Sequence, residues 1–296
     1  DVVFGCGIPE GHTGFNIARA SAIRAGVPVT AAGLVVNRHC ASGLQAISIA
    51  AQRIIADGAT VMLAGGIEHI SLVQNNRASG YADEAWLAAT KPELFMSMID
   101  TAEVVAKRYA IPRQLQDDYG LQSQQRTAAA QVAGRFDAEI VPMATEMDTA
   151  AGNDGGGPVR RPVSIGKDEG NRPQTTLEGL AALQPVRGQG HTITAGNASQ
   201  LSDGAAACVL MERREAERRG LAPLGLYRGM VVAGCEPDEM GIGPVFAVPK
   251  LLARAGLTVA DIDLWELNEA FAVQVIYCRD RLGIPDDRLN VDGGSI

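Results

Sequence analysis

Short apolar runs alternate along this chain with longer stretches whose apolar residues recur every third or fourth position. Residues 1–5, 31–36 and 61–65 read as buried strands. Residues 16–25 and 41–56 read as helices, closed by Gly26 and by Asp57-Gly58. Strand and helix in alternation predict a layered α/β fold. From residue 70 to 201 the periodicity thins. That region holds polar loops, two amphipathic helices (residues 100–109 and 113–133) and the run Gly152-Asn153-Asp154-Gly155-Gly156-Gly157-Pro158. No Lys-Ser/Thr follows the glycines and no helix opens after them, so they predict a surface turn and not a phosphate loop. The region reads as an insertion carried on the core. The core pattern resumes with a strand at 205–211 and a charged helix. From residue 224 strand and helix repeat, with a helix at 246–255 ended by Gly256, a strand at 262–267 and a helix at 269–282 ended by Gly283.

One junction in this pattern carries chemistry. Cys40 falls between the apolar run 31–36 and the helix at 41–56. A helix start offers partial positive charge and N–H groups without intrahelical partners. That setting lowers a thiol pKa, and the thiolate is the nucleophile. The same N–H groups can hold the oxyanion formed when a thiolate attacks a carbonyl. Most lone cysteines are small core residues, but Ala41, Ser42 and Gly43 let another backbone or a ligand come close.

Composition narrows the classes. Of the 296 residues 46% are hydrophobic, which fits a globular chain with a sizeable core. A net charge of −8 and only 4% aromatics argue against nucleic acid and anionic membranes as partners. The cysteines (Cys6, Cys40, Cys208, Cys235, Cys278) are odd in number and widely spaced, so neither a disulfide framework nor a zinc site is expected. His12, His69 and His191 are scattered, and no metal is expected. A reducing, cytoplasmic setting follows, with no signal peptide and no apolar run of membrane-spanning length. The chain opens inside a strand and stops at Asn290-Val291-Asp292-Gly293-Gly294-Ser295-Ile296, so a fragment truncated at both termini is expected.

Four motifs stand in order: Asn37-Arg38-x-Cys40-x-Ser42-Gly43-Leu44-Gln45-Ala46; Thr194-Ala195-Gly196-Asn197-Ala198-Ser199 with Asp203-Gly204-Ala205-Ala206; Asn268-Glu269-Ala270-Phe271-Ala272; and Asn290-Val291-Asp292-Gly293-Gly294. Together they resemble the thiolase family over essentially the whole chain. The resemblance implies a layered αβαβα core of two similar βαβαβαββ halves with an inserted loop domain. Residues 1–69 and 202–222 would be the first half, 70–201 the CoA-binding loop domain and 223–296 the second half. It implies homodimers or homotetramers that bind acyl-CoA and CoA as substrates, with no other cofactor.

Carried over residue by residue, the resemblance makes Cys40 the acylated nucleophile, with its own N–H as an oxyanion donor. Asn268 would hold a catalytic water. Phe271 and Met98 would line the acyl pocket. Ala195, Gly196 and Ser199 would touch the pantetheine arm. Each has a plainer reading. Asn268 could cap the following helix, and Glu269 is a structural partner in that helix's first turn. Ala195-Gly196 could be a strand end, and Met98 and Phe271 could be core. His39 is a poor orienter, because adjacent residues seldom face each other. The family's Gly-His-Pro loop and Cys-x-Gly-Gly-Gly turn would lie beyond Ile296 and occur nowhere in these residues, so the piece alone is expected to be inactive. Ser97 stands where biosynthetic members often carry His. With Arg38 and Gln45 it leans towards degradative 3-ketoacyl types. The expected function is acyl-CoA C-acyl transfer through an acyl-cysteine. The alternatives are a non-catalytic CoA-ester-binding subunit of the same fold and a ketoacyl-synthase-like condensing enzyme.

Overall fold

A computed structural model describes residues 1–73, 83–149 and 159–296. The glycine run 152–158, expected as a surface turn, lies outside them. The strands are β1 (Val2–Gly5), β2 (Gly33–Val36), β3 (Val61–Glu68), β4 (Met143–Thr149), β5 (Val159–Ile165) and β6 (Gly204–Met211). The first helices are α1 (Ile17–Arg24), α2 (Ser42–Asp57), α3 (Ile70–Val73), α4 (Ala85–Thr90) and α5 (Met98–Arg108). After them come α6 (Arg113–Val132), α7 (Leu177–Ala181), α8 (Arg213–Arg218), α9 (Gly243–Ala255) and α10 (Ala272–Leu282). The chain forms two compact units. One comprises Asp1–Met96, Leu201–Asp238 and Gly243–Thr258; the other comprises Ser97–Gln200, Glu239–Ile242 and Val259–Ile296.

The first unit is an α/β layer. Its sheet runs β2-β1-β3-β6, with β1 parallel to β2 and β3, and β6 antiparallel to β3. Successive strand residues face opposite sides, and the sequence uses both. Val3, Met62 and Ala64 pack with Ala46 and Ala50 of α2. Val2 and Phe4 pack with Ala18 and Ala22 of α1, against Leu63 and Ile67. Helices thus cover both faces of the parallel strands, as near-continuous apolar runs require. Each fully buried Val or Phe here is worth about 1.5–3 kcal/mol. Asn16 caps α1: its Oδ1 accepts from Arg19 N at 2.9 Å, while its Nδ2 donates to Gly33 O of β2 at 2.9 Å. Gly58, at φ 74°, closes α2 in the left-handed conformation.

The second unit is helical with a two-stranded ribbon. α10 packs on α5 and α6, and α6 on α7. β4 pairs antiparallel with β5, Met143 opposite Ile165. No helix among the described residues is long and apolar enough to cross a membrane.

Three expected elements differ. Residues 262–267 form no strand: the segment meets residues 288–290 through Trp265 N to Arg288 O (2.8 Å) and Asn290 N to Trp265 O (2.9 Å), and one bridge makes no ladder. Residues 224–236, expected to begin with a strand, carry no regular element. The last helix begins at Ala272 instead of 269, because Phe271 is extended (φ −149°, ψ 144°) and Glu269 is drawn into the interior before it. Asn268 is therefore not its cap, and Glu269 is not in its first turn.

Candidate active site

In the first unit β2 ends at Val36 and the chain makes a tight turn into α2. Asn37 Oδ1 accepts from His39 N at 2.8 Å. His39 then takes φ 46°, a left-handed conformation that costs an L-residue about 1–2 kcal/mol. Ser42 locks the turn from the helix side. Its hydroxyl donates to His39 O at 2.5 Å and accepts from Arg38 N at 2.8 Å, while its N–H donates to the same His39 O at 3.0 Å. Ala41 N bonds Arg38 O at 3.0 Å. Cys40 sits at the crest, exposed, one residue before the Ala41 N-cap. The turn's own backbone bonds start from Ala41 and Ser42, not from Cys40. Ala41 gives α2 no side-chain cap, so its first turn takes no bond from the N-cap side chain.

The turn lies against the end of β1. A Cβ on Gly5 would come within 2.3 Å of the Ser42 carbonyl carbon, so only glycine permits this approach. Cys40 and His39 line an open cleft of about 590 Å³, with Gly5, Gly7, Glu68 and Ala206 among its walls. Glu68, at the end of β3, accepts from Gly7 N at 2.6 Å and from Ile8 N at 3.3 Å. Cys6 Sγ lies 3.6 Å from its Oε1, and burial followed by the Glu68 charge pushes the Cys6 thiol up.

The second unit brings Ala195, Gly196, Ser199 and Phe271 together. Ala198 and Phe271 form a bridge, Ser199 N donates to Ala270 O at 2.9 Å, and Ala272 N to Asn197 O at 2.9 Å. Phe271 is 7% exposed, whereas Asn268 and Ala195 are open to solvent. Asn197 is wholly buried and shapes the 194–197 turn. Its Oδ1 accepts from Thr194 N at 2.8 Å, and its Nδ2 donates to Asp117 Oδ1 at 3.0 Å. Asp117 is in turn paired with Arg113 at 2.7 Å. Glu103 of α5 holds the preceding residues, accepting from Ile193 N at 2.7 Å and Thr192 N at 2.9 Å. Met98 opens that same helix, and Ser97 caps it. Cys40 belongs to the other unit.

Glu269 is the densest polar node of this unit and is 1% exposed. Its Oε1 accepts from the Tyr119 hydroxyl (2.7 Å) and Asn290 Nδ2 (3.0 Å). Its Oε2 accepts from the Ser123 hydroxyl (2.6 Å) and Ile296 N (3.2 Å). Burial, then the Glu269 charge, drives the Tyr119 phenol well above its usual range, so it stays a donor. Asn290, 2% exposed at φ 46°, also bonds both backbone groups of Leu267: N–H to Oδ1 at 2.8 Å and Nδ2 to O at 2.9 Å. Sequence reasoning passed over Glu68, Glu103 and Asn197 as working parts. The available signal was a carboxylate or amide set among small and apolar residues.

Fold and turn together define an α/β protein that presents an exposed thiol where a parallel strand runs into a buried helix. Residues 1–214 match the family model of the thiolase N-terminal domain, and residues 221–296 that of the thiolase C-terminal domain. The chain belongs to the thiolase family. It is 44% identical over 298 residues to the 3-ketoacyl-CoA thiolase of Bacillus subtilis (strain 168), covering 100% of this chain and 75% of that one. It is 43% identical to the peroxisomal 3-ketoacyl-CoA thiolase A of Rattus norvegicus over 97% of this chain, and spans 65% of that protein's length. The dimeric peroxisomal thiolase of Saccharomyces cerevisiae superposes with a TM-score of 0.89 at 33% identity, over 99% of this chain and 72% of the other.

Proposed function

We propose that this protein is an acyl-CoA C-acyltransferase of the 3-ketoacyl-CoA thiolase type, working through an acyl-cysteine on Cys40. The observation that carries the reading is the exposed Cys40 thiol on a left-handed turn at the uncapped start of α2. In the thiolytic direction the Cys40 thiolate attacks C3 of a 3-ketoacyl-CoA. The new C–S bond forms, the C2–C3 bond breaks, and its electron pair leaves on C2 as the enolate of acetyl-CoA, which takes a proton. The sulfur of free CoA then displaces Cys40 from the acyl group, and the thiolate is regenerated. The carbonyl oxygen becomes an anion in each half, and the Cys40 N–H is the donor proposed for it. Asn268 is proposed to hold a water, Ala195, Gly196 and Ser199 the pantetheine arm, and Met98 and Phe271 the acyl group. CoA takes part as a substrate, and the scheme asks for no further cofactor. The homologues' names support the CoA esters, and the dimeric yeast relative supports a homodimer, with a homotetramer as the alternative. A reducing, cytoplasmic compartment is proposed on the free cysteines.

The test is intact-mass and peptide mapping of the full-length protein after mixing with acetoacetyl-CoA. We expect one acetyl group on Cys40 with release of acetyl-CoA, and none on a folded Cys40→Ala variant. Acetyl retained by the Ala variant would sink the assignment.

A further inference from the structure

The parallel ladder between β1 and β3 ends at the pair Gly5 and Gly66. Beyond it the loop at residues 6–8 has no strand to lean on, and Glu68 takes over with its side chain. Its two oxygens accept from successive N–H groups, Gly7 at 2.6 Å and Ile8 at 3.3 Å. Among the described residues no cation pairs with this carboxylate. Its bonds go to the loop alone, with the Cys6 thiol 3.6 Å away. Gly7 leaves room between two groups that a side chain would fill. A Cβ added there would stand 3.0 Å from Glu68 Oε2 and 3.6 Å from both the carbonyl carbon and oxygen of His39. That carbonyl accepts the two Ser42 bonds that close the turn, and its carbon is bonded directly to Cys40 N. Glu68 thus holds Gly7 by a hydrogen bond, and the His39–Cys40 peptide borders the same narrow space beside the Gly7 Cα, within one cleft wall.

We infer that Glu68 is a positioning residue for the Cys40 turn: it sets the plane of the His39–Cys40 peptide, and with it the direction of the Cys40 N–H and thiol. The inference rests on the reading of Cys40 as the nucleophile. A peptide held at a left-handed residue relaxes when its support is removed. A charged acceptor on two consecutive N–H groups is a firmer support than a neutral one. In Glu68→Gln one oxygen becomes an NH₂ facing an N–H, so one of the two loop bonds is lost while size and shape are kept.

Two measurements on Glu68→Gln in the full-length protein decide it. One is the rate of acetyl transfer from acetoacetyl-CoA to Cys40. The other is hydrogen exchange at the amides of Cys40, Ala41 and Ser42. We expect acetylation at saturation to slow about ten- to a hundredfold, with the half-saturating concentration changed less than about twofold, as for loss of orientation without loss of binding. We expect the three amides to exchange faster while the amides of α1 and the melting temperature hold. Acetylation within about twofold of the parent overturns the inference. So does a slowing that only follows a fall in melting temperature. Should the parent itself take no acetyl group, the nucleophile reading fails separately and exchange alone decides: unchanged protection of Ala41 and Ser42 overturns the positioning role, and lost protection upholds it. Gly7→Ala keeps Glu68 but presses a methyl between carboxylate and peptide. It carries the same expectations should Glu68→Gln not fold.

Discussion

Replacing Glu269 by Gln isolates the contribution of one buried carboxylate. Four donors converge on it, two on each oxygen: the Tyr119 hydroxyl with Asn290 Nδ2, and the Ser123 hydroxyl with Ile296 N. Gln keeps the volume but turns one acceptor into a donor. Whichever way the amide is set, it meets one hydroxyl and one N–H. The hydroxyl can rotate and accept; the N–H cannot. The Asn290 amide cannot flip to help, because both its ends are engaged by Leu267. One buried N–H therefore loses its acceptor at a cost of about 1–3 kcal/mol, and the bonds that survive fall from charge-assisted to neutral strength. The net loss comes to about 3 kcal/mol, or about 5 °C in melting temperature for a chain of this size. Glu269→Ala strands all four donors and loses more, close to the whole stability of an ordinary domain. Urea and thermal unfolding followed by circular dichroism measure both. A Gln variant within about 0.5 kcal/mol of the parent would refute the four-donor account.

Iodoacetamide at neutral pH should modify Cys40 before Cys6, since Cys40 is exposed while Cys6 is buried with its thiol pushed up; peptide mapping that finds Cys6 first would contradict this. Hydrogen bonds from Arg187 and then Ser97 hold the Asp100 carboxyl down at about 2, against 3.8 for the free group. The folded value lies below the unfolded one, so this contribution is complete above pH 3.8 and vanishes as pH falls through about 2. Arg187→Ala should move the carboxyl titration seen by NMR upward towards 3.8, and no movement would refute the pairing.

Where structure depends on neighbours in the chain, the sequence was legible. β1, α1, β2 and α2 stand within a few residues of where the apolar pattern puts them, and Gly26, Gly58 and Gly283 close helices in left-handed conformations. The strand-to-helix junction at Cys40 could be read for the same reason. Residues 262–267 have strand composition, but a strand needs a partner, and pattern alone does not supply one. The start of α10 is set by Tyr119 and Ser123, which are 150 and 146 residues from Glu269. No local rule sees that bond. Glu68 was hidden likewise: its role depends on Gly7 and Ile8, about sixty residues upstream in sequence.

Asn290 offers Leu267 one acceptor and one donor at 2.8 and 2.9 Å, the same pair of groups that a neighbouring strand would present. A single side chain thus impersonates a peptide unit. It adds a rung, two residues on, to the single backbone bridge that the stretch before Asn268 makes at Trp265. Asp has no N–H to complete the rung, and Gln would set its amide a methylene too far out. The local vocabulary at position 290 is therefore one word long. Within 290–294, the choice of Asn at 290 thus follows a grammar borrowed from β-sheets.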